Sequence, residues 1–380
     1  MKIALICSGN PEDKTIWSGT PFHIYNNIKK YADVDYYFFK ETLFGKVYCL
    51  WYKILSRLSG KSYIGTFHSR IGRIAARQID RKLSSENYDA ILSLGCSYAV
   101  AYLKNKTPVI YLSDAVFSDM LDYYIFNISD KTKKEGNIIE KRALEKSEKI
   151  IFATKWPSES AEKVYGADKS KIEVVHLGAS VSEEIHCRSE NLSQVECINL
   201  LLIGVDWDRK GCQTAVDCLN YLNDNSEYKF KLHIIGCKPN YELNNENVIL
   251  HGFINKNSPE GNERFNKILS ACDLFILPTK AECAGIAFAE ATAYCLPAFT
   301  YDTGGVSDMV IDGENGYCLP MTSKGSDFAQ KILEVIAEDG KIDYMRSRAE
   351  YLYKNDYNWD ICSRKIINVI KSALKKNGAD

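Results

Sequence analysis

Short apolar segments alternate with longer amphipathic ones along this chain, and after residue 196 the series starts again. KIALIC (2–7), VDYYFF (34–39), AILSLG (90–95), PVIYLS (108–113), KIIFAT (149–154) and IEVVHLG (172–178) come before the restart. INLLLIG (198–204), FKLHIIG (230–236), VILHGF (248–253), LFILP (274–278) and PAFTY (297–301) come after it. This alternation is that of parallel sheets with crossover helices. At 380 residues the chain also exceeds the roughly 250–300 beyond which a single core usually splits. Two doubly wound α/β units side by side are therefore expected. The polar, Ser- and Glu-rich stretch 178–196 is the natural seam, giving domains 1–178 and 179–355. A last helix in 356–380, with Trp359, Ile366, Ile367, Ile370 and Leu374 at helical spacing, suits either domain.

Forty-eight Lys and Arg against 49 Asp and Glu leave a net charge of −1, which argues against a general polyanion binder, so nucleic acid is not an expected partner. The thirteen cysteines stand mostly singly in apolar runs, without a C-x-x-C pair, and read as reduced, buried small hydrophobes of a cytosolic protein. The opening MKIALICSGN is too short for a signal peptide and reads as a first buried strand. No run reaches the roughly 18 apolar residues of a spanning helix. The expected location is cytoplasmic, with one candidate for peripheral contact at the inner membrane face. That candidate is residues 41–61, where Leu43, Phe44, Val47, Leu50, Trp51, Ile54 and Leu55 fall near helical spacing among Lys46, Lys53 and Arg57. It reads two ways: as an amphipathic helix packed on its own domain, or as a segment docking on an anionic membrane.

In open parallel sheets, ligands bind beyond the carboxyl ends of strands, where turns lead into helix N-termini. After INLLLIG come Arg209, Lys210 and Gly211, two cations just before a helix, suited to a diphosphate. After LFILP comes AECAGIAFAE, with Glu282 in the loop and Glu290 in a helix that starts near Gly285. Glu290 is surrounded by apolar positions, so its carboxylate needs a partner. WSGTPFHIYNNI places Ser18, Gly19 and Thr20 between the first strand and a helix, as a backbone nest for an anion or acceptor. His23 falls inside that helix, as a packed imidazole or a ligand contact. Asp114 follows PVIYLS at a strand's carboxyl end, as an N-cap or a functional carboxylate. His176 sits within an expected buried strand and reads as structural. Neither Asp33-Val-Asp35 nor Asp206-Trp-Asp208 has the setting of a metal site, no zinc-ligand spacing is present, and no G-x-G-x-x-G follows the first strand.

Taken together, GVDWDRKG (204–211), ACDLFILPTKAECAGIAFAEATAYCLPAF (271–299) and YDTGGVSDMVIDGENGYCLP (301–320) resemble the retaining GT-B glycosyltransferases of family 4. The resemblance rests on the E-x7-E pattern of Glu282 and Glu290, followed by Pro297, Gly304, Gly305 and Gly316. It is looser in the first half, through SGTPFHI and SDAVF. It implies two domains facing across a cleft, and transfer of a hexose-type sugar, with retention, from a nucleotide diphosphate sugar to a saccharide, lipid-linked or other hydroxyl acceptor, as in polysaccharide biosynthesis. No cofactor beyond the donor is implied. Glu290 would take the ribose hydroxyls, Glu282 the hydroxyls of the transferred sugar, and Lys210 the phosphates. The backbone N–H groups of Ala284, Gly285 and Ile286 would meet sugar and diphosphate, and Phe253 would lie near the base. Asp114, with Gly19 and Thr20, would complete the site from the first half. The chain departs from the pattern at Val205, where the family carries Arg and for which Arg209 is expected to substitute. It departs again near Asp114, where many members have His, and at Cys295, where Gly is frequent and a packing change is expected. A non-catalytic sugar-nucleotide-binding subunit and a nucleotide-sugar epimerase of the same architecture are the competing readings.

Overall fold

The computed structural model describes residues 1–40, 43–181, 187, 192 and 195–377. The chain divides into two compact units, Met1–His176 together with Cys362–Asp380, and Leu177–Ile361. In the first, β1 (Lys2–Cys7), β2 (Asp33–Phe38), β3 (Ala90–Leu94), β4 (Val109–Ser113), β5 (Lys149–Phe152) and β6 (Ile172–Val174) make one parallel sheet in the order β2-β1-β3-β4-β5-β6. In the second, β7 (Ile198–Gly204), β8 (Phe230–Gly236), β9 (Val248–Gly252), β10 (Leu274–Leu277), β11 (Ala298–Tyr301) and β12 (Gly316–Leu319) make another, in the order β12-β11-β10-β7-β8-β9. The expected fold class, two doubly wound parallel-sheet α/β units, holds. Every residue of β3, β4, β10 and β11 is buried, because crossover helices cover both faces of such a sheet.

Three sequence expectations need correction. IEVVHLG pairs only as far as Val174, because its neighbour β5 ends at Phe152 and offers no further ladder. His176 therefore lies beyond the strand, not within it. The second sheet gains an edge strand, β12, from the GYCL of residues 316–319, which apolar patterning did not single out. The cysteines do not all stand apart: Cys187 and Cys295 lie side by side, with Cα atoms 5.2 Å apart, a spacing that a disulfide can span. Cysteine usage consequently no longer speaks for a compartment. Much of the seam read at 178–196, namely 182–186, 188–191 and 193–194, lies outside the described residues. The last helix, Trp359–Asn377, begins in the second unit, and from Cys362 its residues group with the first.

In each sheet the chain order runs outward in two directions from one strand. In the second unit that strand is β7, with β8 on one side and β10 on the other. At the amino ends of β7 and β10, the buried Asp273 accepts a hydrogen bond from the Asn199 backbone N–H at 2.8 Å and pins the two strands together. Their carboxyl ends are where the chain order reverses, and there the two loops lead away to different helices.

Candidate functional site

The loop after β7 folds back on itself before the helix Cys212–Asn225 begins. Asp206 organises it: its side chain accepts from the Arg209 N–H at 3.0 Å, and its carbonyl accepts from the Lys210 N–H at 3.0 Å. Gly211 ends the turn at φ 66°, and a Cβ there would sit 1.9 Å from the Pro278 carbonyl oxygen. Only glycine lets the β7 and β10 loops come this close. The Lys210 stem lies against Gly204, where a Cβ would meet its Cγ at 2.5 Å.

The loop after β10 meets the first loop at several points. Lys280 N–H donates to the Arg209 carbonyl at 2.8 Å, and the Arg209 Nη1 donates to the Ala281 carbonyl at 3.0 Å. Lys210, only 7% exposed, donates through Nζ to Glu282 Oε2, and Arg209 Nη1 lies 3.9 Å from the same oxygen. Two cations thus converge on one carboxylate at the strand-order reversal. The Glu282 carbonyl accepts from the Gly305 N–H at 3.2 Å, which ties this loop to the one after β11.

Gly285, at φ 60°, caps the helix Ile286–Ala293, and its left-handed conformation turns the loop sharply into the helix. The first N–H groups of that helix lack carbonyl partners within it and carry the positive end of its dipole. Ala284, Gly285 and Ile286 form this entrance, immediately after Glu282. Glu290, a turn further on, is 2% exposed and accepts from Lys256 Nζ. Lys256 also lies over the Phe265 ring at 4.7 Å from its centroid. Phe253, directly after β9, is 72% exposed. Val205 is also exposed, and the Arg209 guanidinium lies near Glu282. Cys295 has φ 57°, a left-handed backbone that glycine adopts more readily than cysteine.

In the first unit, Trp17, Ser18 and Gly19 follow one another at φ 44°, 54° and 83° before the helix Thr20–Ile28. Positive φ at Trp and Ser is costly and persists only where the surroundings enforce it. Here the Trp17 indole Nε1–H donates to Asp114 Oδ2 at 2.9 Å, joining the loop after β1 to the loop after β4. Asp114, Gly19 and Thr20 are thus linked through Trp17 in the first unit, while Arg209, Lys210, Glu282, Ala284, Gly285, Ile286, Glu290 and Phe253 all belong to the second. His23 lies inside the helix Thr20–Ile28, as read from sequence.

Two participants were not foreseen. Lys256 lies four residues beyond β9, where a polar residue after a strand's carboxyl end was the available signal. Trp17 carried no motif, only its place in the loop after β1.

Residues 188–359 match the family of Glycosyl transferases group 1. An uncharacterized glycosyltransferase of Methanocaldococcus jannaschii, MJ1178, is 24% identical over 358 residues, covering 90% of this chain and 92% of that protein. An uncharacterized 41.2 kDa protein in the cps region of Klebsiella pneumoniae is 26% identical over 241 residues, 61% of this chain and 62% of that relative's length. Among solved structures, sucrose-phosphate synthase from Thermosynechococcus elongatus superposes with a TM-score of 0.70 at 14% identity, covering 99% of both chains. Anabaena HepE in complex with UDP superposes with a TM-score of 0.67 at 15% identity, covering 98% of this chain and all of that one. The two structural likenesses bear on the fold alone and agree with GT-B.

Proposed function

We propose that this chain, supported by these matches as a member of the group 1, GT-B-like glycosyltransferase superfamily, is a retaining hexosyltransferase using a nucleoside diphosphate sugar. The observation that carries the reading is the meeting of Lys210, Arg209 and Glu282 at the reversal point of the second sheet, directly before the helix entrance at Gly285. Breaking an anomeric bond to a diphosphate leaves negative charge on the departing phosphate. Fixed cations there lower the barrier because that charge grows in the transition state. Lys210 and Arg209 supply them, with the N–H groups from Ala284 to Ile286 alongside. Glu282 takes hydroxyls of the sugar, and Glu290 takes the ribose hydroxyls in exchange for part of its contact with Lys256. Phe253 offers an exposed ring to the base. The first unit, through the loop that Trp17 ties to Asp114, binds the hydroxyl acceptor, a saccharide or a lipid-linked sugar of polysaccharide synthesis. Attack from the leaving-group face retains the anomeric configuration and needs no covalent carboxylate. The protein works in the cytoplasm and requires no cofactor besides the donor.

The test is calorimetry against a panel of nucleoside diphosphates, beginning with UDP because HepE holds it. Proton NMR of the anomeric signal in the first product formed from the matching sugar nucleotide completes it. One nucleotide should bind best, and Glu290→Gln should weaken it by about tenfold, the loss of a charge-assisted hydrogen bond of roughly 1.5 kcal/mol. Binding unaffected by Glu290→Gln refutes the ribose assignment. An inverted product refutes retention.

A further inference from the structure

The helix Leu43–Ser59 has two faces, and the fold accounts for only one of them. On the inner face Tyr52 is buried and stacks on the fully buried His68, with ring centroids 4.4 Å apart, and on Tyr63 at 5.4 Å. Tyr48 meets Tyr52 edge-on, and their hydroxyls lie 2.7 Å apart. His68 in turn reaches Thr132 Oγ1 at 3.2 Å and lies 3.5 Å from Glu135. This aromatic seat holds the helix on the first unit without help from its other side.

The other side carries Val47, Leu50, Trp51, Ile54 and Leu58, all exposed, Leu58 by 80%. At 3.6 residues per turn these five fall within about 100° of arc. Lys46, Lys53 and Arg57, all exposed, form the flank beside them, and the helix contains no Asp or Glu. Lys61 follows, paired with Asp130 at 3.5 Å. The side chains of Leu43 and Phe44, also noted from sequence, lie outside the described residues. The reading of a helix packed on its own domain explains Tyr48 and Tyr52 but leaves the apolar outer stripe without purpose.

We propose that this outer face docks in the interface of an anionic lipid bilayer, with the apolar stripe entering the headgroup boundary and the basic flank meeting lipid phosphates. The all-positive flank favours a negatively charged occupant. A second copy of the same helix in a two-fold dimer would instead bring like charges together. No helix among the described residues is long and apolar enough to cross a membrane, so the contact is peripheral. The inference does not depend on the donor chemistry.

The test is flotation of the intact protein with phosphatidylcholine vesicles, with and without phosphatidylglycerol. Binding should require phosphatidylglycerol and weaken with added salt. Trp51→Ser with Leu58→Ser should lower partition by at least about tenfold, since two large apolar side chains no longer leave water. Lys46→Glu, Lys53→Glu and Arg57→Glu together should remove the lipid-charge dependence. All five side chains are exposed, so both variants should keep the wild-type circular dichroism spectrum and melting temperature. Absence of vesicle binding, or equal binding to both vesicle types, overturns the proposal. So does a lipid-free dimer in sedimentation velocity that Trp51→Ser with Leu58→Ser dissociates, since the face would then belong to a second copy.

Discussion

Replacing Lys210 by Met keeps an unbranched stem beside Gly204 and removes only the ammonium. In the folded protein that ammonium sits on Glu282 Oε2 with both side chains largely buried, so its loss leaves a carboxylate short of a partner. Breaking a buried pair typically costs roughly 3–5 kcal/mol. Arg209 Nη1, 3.9 Å from the same oxygen, remains as a partial substitute, which lowers the expected loss of stability to about 2–3 kcal/mol. The catalytic loss has a different origin. On the proposed mechanism, one cation fewer faces the departing diphosphate without the ammonium, worth roughly 2–4 kcal/mol in the transition state, or about 30- to 900-fold in turnover. Adding Glu282→Gln separates the two effects. The double variant removes the stranded charge and should regain stability to within about 1 kcal/mol of wild type. Its turnover should stay low, because no ammonium returns and a sugar contact is also weakened. Denaturant unfolding reads the first quantity, and release of nucleoside diphosphate from the sugar nucleotide reads the second. If stability falls in Lys210→Met while turnover per folded molecule does not, or if the double variant recovers turnover, the pair is structural and the phosphate role is wrong.

Gly211→Ala should cost at least about 3 kcal/mol by denaturant unfolding, since a left-handed backbone alone costs about 1–2 kcal/mol and the Pro278 carbonyl blocks the added methyl. Gly166→Ala, at the same φ of 66° with nothing within 4 Å of its Cβ, should stay near about 1 kcal/mol and serves as the control. Glu140, buried in the first unit and accepting from the Tyr111 hydroxyl at 3.2 Å, has its carboxyl pushed up to about 7 by burial, from an ordinary 4.5. Between those values the folded chain binds the extra proton, so stability is full below 4.5 and falls as pH rises through 7. Glu140→Gln should flatten that slope and raise stability above pH 7 by up to about 3 kcal/mol, at about 1.4 kcal/mol per pH unit; thermal denaturation across pH 4–8 reads it, and an unchanged slope refutes the assignment.

What could be read from the sequence follows from which physical effects are local. Parallel strands buried on both faces are continuous apolar runs, so KIALIC and INLLLIG mark themselves. Their ends are set by pairing instead: VHL continues the apolar run past Val174, but once the Val175 N–H has donated to the Phe152 carbonyl at 2.9 Å, β5 ends and the ladder with it. The edge strand β12, four residues beginning with Gly, carries too little apolar signal to stand out from its turn-rich surroundings. The same division holds at the site. Arg209, Lys210 and Glu282 were legible because polar residues at strand ends must lie at the carboxyl edge of a parallel sheet. Lys256 and Trp17 were not, since each acquires its part only through a distant residue: Glu290 once it is buried, Asp114 once two loops meet. Cys187 and Cys295, 108 residues apart, meet for the same reason. The groups proposed to bear chemistry are thus placed by local topology, and the groups that hold them are placed by tertiary packing. A homologous chain could therefore keep Glu290 while changing Lys256, provided that another cation reaches the same buried carboxylate.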